Sequence, residues 1–273
     1  MKNITLGQYF PGNSPVHRLD PRTKILLMIA YIVVIFLVNA LILYVLPFAF
    51  VLFAIVLSHV PVSYVTRSLK PLRFLLVFMF IINLFFTPGE TALLSFWRVN
   101  ITSEALLQAL FISIRLILLV GGTSLMTLTT SPIALTDGLE KLLKPLSRLR
   151  FPSHELAMMM TIALRFIPTL MEEAVKIQKA QMARGADFES GNVINRAKSM
   201  IPILVPLFIS AFRRADELAM AMESRCYHGG EGRTRMRELR FGPCDAVAAS
   251  IVLLVAAAII ALQYLMQNGW AAS

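Results

Sequence analysis

The sequence predicts an all-α integral membrane protein with about five transmembrane helices and a cytoplasmic domain of one short and two long crossing helices. Of its 273 residues, 57% are hydrophobic and 15% are charged, and the mean hydropathy is +0.69. Soluble domains usually have about one quarter charged residues. Several apolar runs are long enough to cross a bilayer, and one long basic segment with helical periodicity lies between the last two of them.

The formal net charge of +10 does not indicate a nucleic-acid-binding protein. In a membrane protein, basic residues first report topology, and no recognition pattern of arginine, glycine and aromatic residues accompanies the charge. Cys226 and Cys244 lack the spacing of metal ligands, and the four histidines are scattered along the chain. The sequence therefore predicts no metal site, no cofactor of its own and no nucleic-acid partner.

The first apolar segment, residues 25–57, is too long for one helix that crosses the bilayer at a right angle. At about 1.5 Å per residue it measures roughly 50 Å, whereas the hydrocarbon core is about 30 Å thick. Asn39 interrupts the run and Pro47 bends it. We interpret the segment as two short helices that turn near Asn39; a single long tilted helix is the alternative.

Three further spans follow. Residues 74–86 come after a basic connection with Arg67, Lys70 and Arg73, and a strong breaker, Thr87-Pro88-Gly89, ends the run. Residues 105–128 include Arg115 and a Gly121-Gly122 pair that permits close helix packing. Residues 246–266 form the last span. Arg115 is expected to be structural, pairing with a backbone carbonyl or a polar residue inside the bundle.

The distribution of basic residues predicts the orientation and the domains. Seventeen of the 26 lysines and arginines lie between residues 129 and 245, and none follows Met266. The positive-inside rule places the N-terminus and the 129–245 region in the cytoplasm. We predict an N-terminal membrane domain (1–128, about four spans), cytoplasmic helices (129–245) and a C-terminal transmembrane helix (246–273).

Three helices are predicted in the cytoplasmic region. A short amphipathic helix starts at Pro132 and ends before Pro152. A second helix, residues 153–184, is capped by Ser153 and stopped by Gly185. A third covers residues 193–225. A ridge of small residues, spaced every four positions, is predicted to let another helix cross it closely: Ala211, Ala215 and Ala219.

Each long helix has an arginine near its end, in Ala183-Arg184-Gly185 and in Ser224-Arg225-Cys226. Arg184 alone can be explained as a cation in the last helical turn. The second copy favours a pair of docking points, because a planar guanidinium can make bidentate bonds with carboxylates of a partner. The methionines between residues 158 and 236 suit either an adaptable binding surface or simple core filling.

No nucleotide-binding loop, nucleophile elbow or metalloprotease motif occurs in the sequence, so no catalytic residue is predicted. The spans carry almost no ionisable residue. That scarcity counts against a self-sufficient secondary carrier, and the missing acid/base constellation counts against a membrane-embedded enzyme.

Several short motifs together resemble the transmembrane T component of energy-coupling factor transporters. They are Pro11-Gly12-Asn13-Ser14, His17 to Lys24, Leu164 to Pro168, Ala183 to Phe188, and Arg213-Arg214-Ala215-Asp216. The resemblance covers nearly the whole chain. The second arginine motif departs from it, because Cys226 stands where the family has glycine.

The resemblance implies a non-catalytic subunit of an ABC-type importer in the plasma membrane of a bacterium or archaeon. Its implied partners are two cytoplasmic ATPase subunits, which bind ATP and Mg²⁺, and a small membrane subunit that binds a vitamin or a metal ion. The two arginine motifs, residues 183–185 and 224–226, are implied to bind the ATPases. Which substrate is carried, and whether the scaffold serves one binding subunit or several, does not follow from the resemblance.

Overall fold

The computed structural model describes residues 9–88, 92–96, 99–145, 152–188, 192–229 and 239–270. The chain divides into two compact units. Among the described residues, the membrane unit comprises 9–139 and 239–270, and the long-helix unit comprises 140–229. The domain boundaries predicted at residues 128 and 245 stay a prediction, since compactness does not locate the surface of a bilayer.

The membrane unit is built from seven helices in chain order and part of an eighth, within the described residues. They are α1 (Pro15–Arg18), α2 (Pro21–Leu37), α3 (Val45–Ser58), α4 (Val62–Leu69), α5 (Arg73–Phe86), α6 (Ser103–Thr129), the first part of α7 (Pro132–Leu143) and α11 (Pro243–Trp270). Helix α6 packs against α2, α3, α4 and α5, so it lies at the centre of the unit, while α11 packs on α2 and α3.

Four stretches in the described part of the chain are long and apolar enough to cross a bilayer: Leu41–Ser58, Val62–Phe86, Ser103–Thr129 and Pro243–Met266. Helix α2 is also apolar, but its 17 residues measure about 26 Å, slightly less than one hydrocarbon core. The all-α membrane class is confirmed, with four full-length stretches and the shorter α2 where about five spans were predicted.

The two-helix interpretation of residues 25–57 is confirmed. Helix α2 ends at Leu37, a short 3₁₀ turn covers Leu41–Tyr44, and α3 then begins at Val45. Val38 and Ala40 have extended backbones on either side of Asn39, which is where the chain turns. A single tilted helix is therefore excluded.

The basic connection before the next span is helical. Helix α4, a 3₁₀ turn at Lys70–Leu72 and α5 follow one another without an extended residue, so Arg67, Lys70 and Arg73 lie on one helical stretch. The 3₁₀ turn coincides with Pro71, which has no backbone N–H to continue the α-helical ladder.

A short β-hairpin precedes α6 and was not predicted. Strand β1 (Ala92–Phe96) pairs antiparallel with β2 (Val99–Thr102). Thr102 then caps α6, because its Oγ1 accepts a hydrogen bond of 3.2 Å from the backbone N–H of Ala105. The hairpin thus leads directly into the central helix.

The close packing predicted at Gly121-Gly122 is present at Gly122. A Cβ atom added there would overlap the ring of Tyr31 on α2, whereas at Gly121 it would make ordinary contact with Val51. The Tyr31 hydroxyl donates to the Leu118 carbonyl over 2.7 Å. One aromatic ring therefore fixes the distance between α2 and α6.

Arg115 has the structural role that the sequence predicted. Its Nε donates to the Tyr44 hydroxyl and its Nη2 donates to the Val38 carbonyl, both over 2.8 Å. Its guanidinium also lies 4.7 Å from the centre of the Phe111 ring. Since Val38 ends α2, Arg115 joins α6 to the turn between α2 and α3.

The long-helix unit contains α8 (Ser153–Ala183), α9 (Val193–Ser199) and α10 (Ile201–Glu223). Helix α8 passes through Pro168 without a break and packs against α10. Ser153 is the first residue of α8, and Pro152 holds the cap position without a side-chain hydrogen bond, so the prediction that Ser153 caps the helix was wrong.

Two helix boundaries differ from those predicted. The third predicted helix is interrupted at Met200, so residues 193–225 form α9 and α10. Pro202 lies in the first turn of α10, where the lack of an N–H and the bulk of its ring favour a helix start over a helix interior. Helix α7 starts at Pro132 as predicted, with Ser131 Oγ as its cap, and ends at Leu143.

Candidate functional site

The first candidate site is the end of α8. Arg184 occupies the C-cap position and Gly185 follows with a left-handed φ of +88°. The N–H of Gly185 bonds to the Met182 carbonyl, and the N–H of Ala186 reaches back to the Gln181 carbonyl, both over 3.0 Å. A bond across five residues with glycine in the left-handed region is a Schellman ending, which confirms the prediction that Gly185 stops the helix.

The end of α10 has the same geometry without a glycine. Cys226 takes the left-handed conformation with φ +56°, and its N–H bonds to the Glu223 carbonyl over 2.8 Å. The N–H of Tyr227 reaches back to the Met222 carbonyl over 3.0 Å, as Ala186 does to Gln181. In both endings the arginine directly precedes the left-handed residue. The replacement of glycine by Cys226 therefore leaves the backbone of the ending unchanged.

The residues of both motifs are exposed. These are Ala183, Arg184 and Gly185 at the first end, and Ser224, Arg225 and Cys226 at the second. In the described part of the chain, neither Arg184 nor Arg225 belongs to an ion pair. Each helix end thus carries one exposed guanidinium group.

An ion pair connects α8 and α10 between these two ends. Arg214 Nη2 lies 3.1 Å from Glu173 Oε2, and both side chains are partly buried. A hydrogen bond with Ser210 and the charge of Arg214 outweigh burial and hold the pKa of Glu173 below its usual value. The carboxylate of α8 is therefore ionised at neutral pH and contacts two polar side chains of α10.

The predicted alanine ridge is not the contact face of α10. Ala215 and Ala219 are exposed, and only Ala211 is partly covered. The partly buried side chains of α10 are instead centred on the residues that directly precede the three alanines. They are Ile203, Pro206, Leu207, Ser210, Ala211, Arg214, Leu218 and Met222. The spacing of four residues correctly predicts that the small residues lie on one face of α10. It does not predict which face of α10 packs against α8.

A run of large apolar side chains is exposed on the first half of α10. Phe208 is 61% exposed and Phe212 is 68% exposed, and Ile201, Val205 and Ile209 recur beside them at helical spacing. Several methionines are exposed as well: Met159, Met160, Met171, Met182 and Met220. Within this chain those methionines lie on the surface, which favours the adaptable-surface interpretation over core filling.

A polar network in the membrane unit uses residues of the motif from His17 to Lys24. Asp20 caps α2 by accepting from the backbone N–H of Arg22, and its carboxylate receives two further hydrogen bonds from the Arg22 side chain. The N–H of Asp20 donates to Asp245 Oδ1 over 2.8 Å. Burial raises the pKa of Asp20, but the hydrogen bonds and charge of Arg22 outweigh it and hold that pKa below its usual value. The network therefore joins the start of α2 to the start of α11.

Lys24 extends this network to the end of α6. Its Nζ donates to the Thr129 carbonyl over 2.9 Å, to Thr130 Oγ1 over 3.2 Å and to the His17 carbonyl over 3.3 Å. Three acceptors match the three N–H bonds of an ammonium group. Sequence reasoning did not assign roles to Asp20, Lys24 or Asp245; only the Asp-Pro start of α2 gave a local signal.

The sequence matches a known family over residues 12–236, and that family is described as "Cobalt transport protein". A relative from Thermosediminibacter oceani is 58% identical over 248 residues, which cover 91% of this chain and 93% of the relative. One from Clostridium kluyveri is 56% identical over 256 residues, covering 93% and 95%. One from Lactococcus lactis is 45% identical over 255 residues, covering 93% and 96%. Each of the three is named "Energy-coupling factor transporter transmembrane protein EcfT".

Proposed function

Because the chain belongs to the EcfT family of energy-coupling factor transporter transmembrane proteins, we propose that it couples ATP hydrolysis in two cytoplasmic ATPase subunits to substrate uptake. The ATPases bind ATP and Mg²⁺, and a separate small membrane subunit binds a vitamin or a metal ion. The chain itself makes and breaks no covalent bond. The observation that carries this proposal is the pair of matching, arginine-bearing helix ends.

The two helix ends suit two copies of one kind of partner. Their backbones share the same ending, and Arg184 and Arg225 stand at the same place in it. A partner groove lined by carboxylates binds such a guanidinium through bidentate, charge-assisted bonds, which fix orientation as well as adding affinity. Two ATPase subunits related by a two-fold axis supply two such grooves.

The crossing of α8 and α10 transmits the movement. When ATP closes the two ATPases, the grooves move and each carries one helix end with it. The ion pair between Glu173 and Arg214 keeps the helices in contact near their crossing, so displacement at the ends changes the crossing angle. The exposed apolar face of α10, which includes Phe208 and Phe212, provides a surface for the substrate-binding subunit.

The orientation follows the distribution of charge. The N-terminus and the long-helix unit lie in the cytoplasm, because seventeen lysines and arginines lie between residues 129 and 245. Both arginine-bearing ends are then on the side where ATP is present. The protein resides in the plasma membrane of a bacterium or archaeon.

A charge-reversal pull-down tests the proposal. The variant R184E/R225E should fail to retain the ATPase subunits during co-purification, while the wild-type chain retains them. The matched control is R165E/R213E, which reverses exposed arginines on the same two helices away from their ends. Equal retention by both double variants would contradict the proposal, and so would substrate uptake by the chain alone without ATP.

A further inference from the structure

The membrane unit contains an apolar cavity of about 360 Å³ that the proposed function does not use. Side chains of α1, α2, α3, α6 and α11 line it. An apolar cavity of about 150 Å³ already holds a benzene molecule, so this one has room for a hydrocarbon chain of several carbon atoms more.

The cavity runs along the helix axes and starts at one end of the bundle. Its lining extends from Lys24 to Tyr31 on α2, from Leu57 back to Phe50 on α3, and from Thr129 back to Gly122 on α6. Each stretch covers about 10 Å at 1.5 Å per residue. Half of a hydrocarbon core measures about 15 Å. The cavity is therefore an elongated slot within one leaflet.

The nitrogen and oxygen donors of the lining side chains already donate hydrogen bonds within the chain. Among the lining residues, Lys24 is bonded to three oxygens, Tyr31 donates to Leu118, and Thr129 Oγ1 contacts the Met126 carbonyl at 3.4 Å. Water and polar solutes gain nothing there, because each would lose hydrogen bonds on entry. A hydrocarbon chain loses none.

Positive charge lies at the end of the slot that faces the polar network. Val16 and Leu19 line the slot beside Arg18, whose side chain is exposed at the end of α1. Basic residues beside a pocket between transmembrane helices attract anionic lipid headgroups. On the proposed orientation, this end faces the cytoplasmic leaflet.

We infer that the slot binds one acyl chain of an anionic phospholipid from that leaflet, with the headgroup phosphate near Arg18. A bound chain fills the space between α2, α3, α6 and α11 and so supports the packing of the membrane unit. This inference needs a membrane-embedded chain but not the binding of ATPases by Arg184 and Arg225.

Photo-crosslinking in phosphatidylglycerol vesicles, with a diazirine on the acyl chain, tests the inference on the full-length protein. Wild-type protein should be labelled within residues 243–252. A248F fills the slot and should reduce that labelling about tenfold, since excluding even two methylene groups costs roughly that much affinity. A257F, on the exposed side of the same helix, should leave the labelling unchanged. If A248F does not fold, A54L narrows the slot from α3.

The headgroup is tested with R18Q, which should lower labelling by phosphatidylglycerol about fivefold, as expected for one basic residue near a membrane surface. R67Q, which removes another exposed arginine, is its control.

Equal labelling of A248F and A257F would overturn the acyl-chain site. Equal labelling by phosphatidylcholine would overturn the anionic headgroup. If the labelling disappears when a membrane protein partner binds, the slot is a binding site for that protein and the lipid inference is wrong. None of these results depends on ATPase binding.

Discussion

The carboxylate of Glu173 and the guanidinium of Arg214 are 3.1 Å apart, and each residue lies eleven positions before the arginine at the end of its own helix. Eleven residues of α-helix measure about 16 Å. The contact between α8 and α10 is therefore equally far from Arg184 and from Arg225. A displacement of either helix end therefore acts on the contact over the same distance.

Breaking this ion pair should weaken coupling more than assembly. We expect E173R and R214E each to reduce uptake per ATP hydrolysed by roughly two- to fivefold, the range expected for a partly exposed ion pair. The charge-swapped double variant should recover part of the loss, because it restores attraction between the helices. Uptake and ATP hydrolysis are measured together in proteoliposomes.

The control for that experiment is E172Q, which removes an exposed carboxylate at the neighbouring position of α8. It should behave as wild type. Full coupling in both single charge reversals would show that the pair does not position the helices, while ATPase binding by Arg184 and Arg225 could still hold.

The same contact predicts a dependence on pH. The pKa of Glu173 is lowered in the folded chain, so the pair stabilises the crossing at pH values above the ordinary carboxyl pKa of about 4.3. Its contribution is lost as the pH falls through the lower folded value. Distances between spin labels on α8 and α10 should broaden in that acidic range. E173Q should show no such transition, and an identical transition in E173Q would assign it to other groups.

Cys226 gives a prediction about helix endings. A left-handed backbone destabilises the folded state by about 1–2 kcal/mol for a residue with a Cβ atom. Glycine avoids this cost, but it loses more conformational entropy on folding, which destabilises the folded state by about 0.5–1 kcal/mol. C226G should therefore stabilise the end of α10 by up to about 1.5 kcal/mol and keep ATPase binding. G185A, at φ +88°, should destabilise the end of α8. Hydrogen exchange of the amides of Ala186 and Tyr227 measures both effects, and slower exchange in G185A would contradict this account.

Arg115 gives a prediction about the membrane unit. R115L leaves the Val38 carbonyl without its donor, and an unsatisfied buried group costs about 1–3 kcal/mol of unfolding free energy. R115K should recover only part of this, because an ammonium group lacks the planar fork that reaches both Val38 and Tyr44. Thermal unfolding in detergent measures the loss. L106A, an exposed position on the same helix, is the control and should change little.

Most helix positions could be predicted from the sequence, because they depend on local signals, while the binding role of the two arginine motifs stays a prediction. Asn39 and Gly185 interrupt or end helices through their own backbone preferences, and the apolar runs reveal the spans. The repeated arginine identified both helix ends before the structure did. The structure adds that Cys226 can replace glycine in the second ending.

Tertiary choices could not be predicted in this way. Several stripes of α10 have a helical period, and only contact with α8 selects the one with Ser210 and Arg214 over the one with Ala215 and Ala219. The contact between Asp20 and Asp245 joins positions 225 residues apart, and no local pattern reports it. Long-range polar contacts of this kind require the folded chain.

The proposed function depends on the binding of the ATPase subunits by Arg184 and Arg225. The most direct measurement is the mass of the complex that each variant forms with the ATPases and the substrate-binding subunit, followed by ATP-dependent uptake in proteoliposomes. R184E/R225E should retain the membrane partner, lose both ATPases and show no uptake, while R165E/R213E should form the whole complex and transport. A complete, transporting complex with R184E/R225E would contradict the account.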